Sequence, residues 1–247
     1  MQRGVLFVDR EQFIDLASGD GVDTCDNRAY LAARFSVINE TVQCLHCPSD
    51  PLHLSHEALR TQHLDGPIFE FGCYRGGMTA KLSVLAHLLG RRLVAFDSFA
   101  GLPNSHVYET FDGVPEELGR FSIGQFSCGA ELVRRHVQMF GRIEPCTFVE
   151  GLIEDTLPLV DERPSLVFVD VDLHETALFV IEKVWRRMQN DRLFTHEACI
   201  SGYMERLLDP EFWAGIGCPV PLTGTAEHGL SFGLPGSKCL TYLVRSL

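Results

Sequence analysis

Short apolar runs alternate with longer segments whose apolar positions recur at helical spacing, and the alternation begins sharply near Gly66. Ile68-Phe69-Glu70-Phe71 predicts a first strand, and Met78 to Leu89 a helix ended by Gly90. Leu93-Val94-Ala95-Phe96 predicts a second strand, closing on Asp97. Glu131 to Phe140 carries Leu132, Val133, His136, Val137 and Phe140 on one helical face, with Gly141 as its stop. Cys146–Val149, Ser165–Val169 and Leu193–Thr195 predict three more strands. A broad apolar helix face runs from Ala177 to Met188, and Leu230–Phe232 with Leu240–Val244 predict a final strand pair.

Strands that alternate with helices imply βαβ units and a mostly parallel, doubly wound sheet, whose ligands bind beyond the C-terminal strand ends. Residues 63–247 are therefore expected to form one α/β domain. Residues 1–62 show mixed helical patterning, for example from Ala29 to Ile38, interrupted by Pro48 and Pro51. They predict a helical N-terminal extension, a lid or an interface that is also a candidate homodimer contact. Residues 98–127 read as a long loop, of the kind that carries function, and with residues 201–235 they are expected to cover an acceptor.

With 247 residues, 45% of them apolar and 22% charged, the chain can bury a sizeable core. The net charge of −12 argues against nucleic acid as a partner, because the basic runs are no longer than doublets, and Arg134-Arg135 and Arg186-Arg187 lie in helical patterns. No apolar run approaches a membrane span, and the N-terminal apolar run is too short for a signal peptide. Nine scattered cysteines suit a reducing compartment, so a cytoplasmic location is expected. Cys44-Leu45-His46-Cys47 lacks the second ligand pair of a zinc site and reads as ordinary thiols, even with His53 and His56 nearby.

The polar residues after each strand carry the candidate chemistry. Glu70-Phe71-Gly72-Cys73-Tyr74-Arg75-Gly76-Gly77 is a glycine turn with the spacing Glu-x-Gly-x-x-x-Gly. That spacing departs from the Gly-x-Gly-x-x-Gly of dinucleotide binders and argues against a nucleotide-dependent oxidoreductase. A carboxylate at Glu70 suits an ammonium, such as the amino-acid end of S-adenosylmethionine (SAM). Asp97 stands where an acidic residue accepts from ribose hydroxyls. Asp170 and Asp172 lie two apart after the fourth strand, pointing the same way if the chain there is extended. His196-Glu197 follows the fifth strand, and Asp170, His196 and Glu197 together are competent to hold a divalent metal.

The run from Gly66 to Glu197 resembles the macrocin O-methyltransferase family, which methylates sugar hydroxyls on antibiotic natural products. The strings that carry the resemblance are Phe69–Gly77, Phe96-Asp97-Ser98-Phe99-Ala100-Gly101-Leu102-Pro103, Glu150-Gly151-Leu152-Ile153-Glu154-Asp155-Thr156-Leu157-Pro158 and Val169–Thr176. The resemblance implies the seven-stranded, mostly parallel sheet of class I SAM-dependent methyltransferases and a small-molecule acceptor. It implies cofactor contacts from Glu70, Gly72, Arg75, Asp97, Ser98, Gly151 and Ile153, to which Gly76 in the same turn and Asp170 are added as candidates. It also implies magnesium, held by the aspartate matching Asp170 and by an Asp-Asp pair after the fifth strand. Here that pair is His196-Glu197, and a tyrosine of the family is His174. The family's basic histidine falls near Leu118-Gly119-Arg120, where there is none, so His106 and His174 are the candidate bases beside Asp170. These departures leave a second reading, a SAM-binding scaffold without catalysis.

Overall fold

The computed structural model describes residues 10–103, 121–225 and 239–245. Three helices come first, α1 (Arg10–Asp15), α2 (Cys25–Thr41) and α3 (Asp50–Arg60). The alternating part follows as β1 (Ile68–Phe71), α4 (Gly77–Leu89), β2 (Leu93–Asp97), α5 (Ala130–Phe140), β3 (Cys146–Glu150), α6 (Ile153–Thr156), β4 (Leu166–Val169), α7 (His174–Val184) and β5 (Arg192–Thr195). Two short helices, α8 (Tyr203–Leu207) and α9 (Pro210–Ile216), lead to β6 (Leu222–Thr225) and β7 (Thr241–Val244).

The strands form one seven-stranded sheet in the order β3-β2-β1-β4-β5-β7-β6. β1 to β5 pair in parallel, and β7 runs antiparallel between β5 and β6. The expected doubly wound sheet is thus the observed one. The partner of β7 differs from expectation. It is Leu222–Thr225, while Leu230–Phe232 lies outside the described residues. Leu222-Thr223-Gly224-Thr225 is too short and too polar to stand out as a strand by its own pattern, and it forms as an edge laid on β7.

Side chains alternate across the sheet as the strand period requires. Phe69, Phe71, Val94, Phe96, Val167 and Val169 face α7, Trp185 and Trp213. Ile68, Leu93, Leu166, Phe168 and Phe194 face the other way, onto Met78, Leu82 and Leu85 of α4. Leu31, Phe35 and Ile38 of α2 and Leu54, Ala58 and Leu59 of α3 are buried in that same second cluster. The first three helices therefore share a core with the sheet.

Thr24 caps α2 by accepting the Asn27 N–H, and Gly90 ends α4 in the left-handed conformation. Cys199, just after β5, and Cys239, just before β7, are joined by a disulfide, so the cysteines are not all the free thiols that their scatter suggested. No helix among the described residues is long and apolar enough to cross a membrane.

Candidate active site

The registers put Phe96, Phe71, Val169 and Thr195 side by side across four neighbouring strands. The next residue of each chain is Asp97, Gly72, Asp170 and His196, so these four form a row along the C-terminal edge of the sheet. A cavity of about 1100 Å³, counted with its open mouth, lies over this row. Its wall includes Gly72, Asp97, Ser98, Gly151, Ile153, Asp170, Asp172 and His196.

Gly72 has to be glycine. Its φ is +88°, and an added Cβ would stand 1.7 Å from the carbonyl oxygen of Asp170. Strand ends β1 and β4 can approach this closely only without a side chain there. Gly151 likewise sits at φ +141°, where a side chain would be strained.

On the β2 side, Asp97 holds the glycine turn. One carboxylate oxygen accepts from the Cys73 N–H at 2.6 Å and the Tyr74 N–H at 3.3 Å, and the other from the Phe99 N–H at 2.7 Å. Burial nevertheless raises its carboxyl above the usual range. Two carboxylate oxygens offer about four acceptor positions. Three are used here, which leaves room for a ribose hydroxyl. Ser98 donates to the Gly101 carbonyl at 3.0 Å and shapes the adjacent wall.

Three of the expected cofactor contacts are off the wall. Arg75 is exposed, with its guanidinium 5.6 Å from the centre of the Tyr74 ring. Gly76 serves as the left-handed residue that opens α4. Glu70 points from β1 into the helix-covered face below the cavity floor, because it alternates with the strand residues Phe69 and Phe71. It is fully buried, neither oxygen has a hydrogen-bond partner among the described residues, and burial raises its carboxyl to about 8.

On the β4–β5 side, Asp170 stands between two imidazoles. Its Oδ2 lies 2.8 Å from His46 Nε2, and its Oδ1 3.3 Å from His196 Nδ1. His196 Nε2 lies 3.4 Å from Asp50 Oδ2, an oxygen that also accepts the Cys47 N–H. His46 Nδ1 lies 3.1 Å from Cys44 Sγ, to which Lys81 Nζ donates at 3.2 Å. Burial alone would raise Asp170 and lower both histidines. The mutual contacts reverse this, holding Asp170 well below the carboxylate range, His196 well above its ordinary value and His46 near 10. Burial would also raise Cys44, yet His46 and Lys81 bring its thiol down to about 6.

The expected set of Asp170, His196 and Glu197 is only partly brought together. His46, Asp170 and His196 converge, their ligand atoms within 4.8 Å of one another. Glu197 turns behind the loop after β4, where one oxygen accepts the N–H groups of Val171 at 2.5 Å and Asp172 at 3.1 Å. Successive residues after a strand point to opposite sides, so His196 and Glu197 could not both face the cavity without a bend between them.

The chain is not extended at Asp172, whose φ is +60°, a conformation uncommon for a residue with a side chain. Asp172 still lines the cavity, and burial, then the charge of Asp170, raises its carboxyl to about 8. His174 opens α7 and packs on Tyr203, with ring centres 5.5 Å apart. It is not on the cavity wall, since the turn at Asp172 aims it toward α8. His106 lies outside the described residues. His46 and Asp50 do not stand out in the sequence because nothing in the pattern around the start of α3 tells which residues reach the ends of β4 and β5, more than a hundred positions downstream.

The row of backbone, carboxylate and glycine at the β1–β2 side fits SAM. The β4–β5 side does not fit magnesium, which takes hard oxygen ligands, whereas two of the three converging groups are imidazoles.

Comparison with known proteins agrees with this geometry. Among solved structures, the O-methyltransferase NovP superposes with a TM-score of 0.66 at 14% identity, covering 97% of this chain and all of NovP. The calicheamicin methyltransferase CalS11 gives 0.54 at 17% identity, with 99% of each chain covered. The methyltransferase PaMTH1 of Podospora anserina, in a structure with S-adenosylhomocysteine bound, gives 0.53 at 12% identity over 88% of each chain. At such identities the likeness is one of fold. No curated protein matches the chain. Residues 49–193 match the family model of the macrocin O-methyltransferases, TylF. That span is more than half of the chain and includes Gly72, Asp97 and Asp170 together, so the protein belongs to the macrocin O-methyltransferase family and is a SAM-dependent O-methyltransferase.

Proposed function

We propose that the chain methylates a hydroxyl of a small polar acceptor, a sugar or a sugar-bearing natural product, seated over β4 and β5 with Asp172 taking the proton. The observation that carries this reading is the division of one strand-end row into two chemistries. Gly72 and Asp97 offer a bare backbone and a carboxylate suited to the cofactor. Asp170, Asp172 and His196 offer charged groups suited to an alcohol. SAM, when bound, supplies an electrophilic methyl on a sulfonium.

The residues of the chain do the remaining work. Asp97 accepts from a ribose hydroxyl while holding residues 72–74 in place. Glu70 stays beneath the floor, behind Gly72 and off the cavity wall, and its part is to pack under the glycine turn. Asp172, raised to about 8, is a much stronger base near neutral pH than an ordinary aspartate, and a carboxylate oxygen there can receive the hydroxyl proton. Glu197 holds the Asp172 backbone and so positions that carboxylate. Leu102, Pro103, Phe126 and Leu152 add apolar surface to the cavity wall and help to exclude water. Gln43 to His46, from the segment before α3, close the acceptor side, a lid-like role for the N-terminal region.

The test is a panel of glycosides, nucleotide sugars and simple phenols incubated with SAM, with products read by mass spectrometry. The expected outcome is one added methyl on a sugar hydroxyl, and its loss in Asp172→Asn with SAM binding kept. Methylation confined to phenols or to nitrogen would overturn the acceptor assignment.

A further inference from the structure

The histidines at the acceptor side have an arrangement that methyl transfer alone does not require. Each presents one nitrogen to Asp170 and has the other held by an anionic or anion-forming group. The far nitrogen of His196 is set by buried Asp50, which is itself fixed by the Cys47 N–H. The far nitrogen of His46 is set by the Cys44 sulfur, itself held by Lys81. Outer partners of this kind fix each ring's orientation, so that when a cation displaces the near N–H proton that now faces Asp170 the lone pair is aimed at the centre, as in metal sites where a carboxylate backs each histidine. The near nitrogens converge with an Asp170 oxygen on the cavity wall, so a bound ion would retain open positions toward the acceptor. Both histidines also lie outside the span that matches the family model, whereas Asp170 lies within it.

We propose that His46 Nε2, His196 Nδ1 and an Asp170 oxygen form a two-histidine, one-carboxylate site for a first-row transition cation of the zinc and cobalt class, in preference to magnesium. The ligand chemistry decides the preference. Two imidazoles that release their near protons to solvent on binding, with one carboxylate, bring one negative charge and two borderline nitrogen donors, which favour zinc, cobalt or iron. Magnesium pays a high dehydration cost for nitrogen donors and prefers carboxylate, phosphate and water oxygens. The proposal rests on the acceptor-side reading above and adds the ion that this side would hold.

The test starts with full-length protein stripped by a chelator and dialysed. Cobalt, zinc and magnesium are titrated separately by calorimetry, cobalt also by visible absorption, and SAM binding is measured on the same stripped sample. Zinc and cobalt are expected to bind one per chain, at least about 100-fold tighter than magnesium, and cobalt to show ligand-field bands. His46→Gln should weaken cobalt at least about tenfold and alter those bands. Asp50→Asn, which removes only an outer partner, should weaken it by about 10–100-fold with the bands nearly kept. Melting curves identify any variant that does not fold, and the wild-type titration stands without the variants. Absence of cobalt bands in the wild type, equal affinity for magnesium, or a folded His46→Gln that binds cobalt as the wild type does would overturn the proposal. If SAM binds the stripped protein and no cation does, only the metal site falls. If the cation binds as expected and SAM does not, the site stands and the methyltransferase reading of the cavity falls.

Discussion

The two ends of the strand-end row differ in how they are built. At the β1–β2 end, Gly72, Asp97 and Ser98 come from adjacent strands and their own turns, and Asp97 is satisfied by backbone N–H groups only two to twenty-four residues away. At the β4–β5 end, Asp170 meets His46 across 124 residues and His196 across 26. The first is a local device that any chain with the right turn can make. The second exists only when α2 and α3 are docked on the sheet, so it carries what is particular to this protein. Cofactor binding and acceptor chemistry should therefore be separable by substitution.

Asp170→Asn should separate them most sharply. It leaves two buried imidazoles without their shared carboxylate and removes charge where the alcohol would sit, so kcat should fall by roughly 10²–10⁴-fold. SAM affinity, read by calorimetry, should change little. A comparable loss of SAM affinity would mean that the two ends are one site.

Asp97→Ala should do the reverse. It removes three hydrogen bonds to a charged acceptor and frees residues 72–74, and should weaken SAM binding by about 1.5–3 kcal/mol, leaving the contacts of His46 and His196 intact. Retention of wild-type SAM affinity would show that Asp97 is only a turn cap.

The smallest effect on SAM binding is expected below the floor, where the larger signal is in stability. Glu70 has its carboxyl raised to about 8 in the folded protein, above its unfolded value near 4.5. Its favourable contribution is present below the unfolded value and is lost as pH rises toward 8, by up to about 1.4 kcal/mol per pH unit. Glu70→Gln, neutral throughout, should lose less stability than the wild type between pH 5 and 8 in thermal melts. Its SAM affinity should change little, because Glu70 lies off the cavity wall. Parallel pH profiles for the two proteins would place the Glu70 carboxyl in contact with water.

Much of the cofactor end was legible in the chain. A strand signal at Ile68–Phe71 followed by glycines, and one at Leu93–Phe96 followed by Asp97, place two groups by strand period and turn chemistry alone. The same logic reached Asp170 and His196. It misjudged Glu197, because a single bend after Thr195 decides which of two adjacent side chains faces the cavity. It misjudged His174, because the left-handed turn at Asp172 rotates everything after it. It overlooked β6, whose four residues become a strand only when β7 is there to pair with them.

The sequence by itself determined the alternation of strands and helices, the doubly wound sheet it implies, and the strand ends at which chemistry would lie, since these follow from periodicity and turn residues within short windows. Only the tertiary structure decided which strands are neighbours, that Glu70 lies beneath the floor, and that His46 and Asp50 join Asp170 and His196. Those contacts depend on how α2 and α3 pack on the sheet through dozens of small apolar contacts, and the energy of that packing is not written in any local pattern.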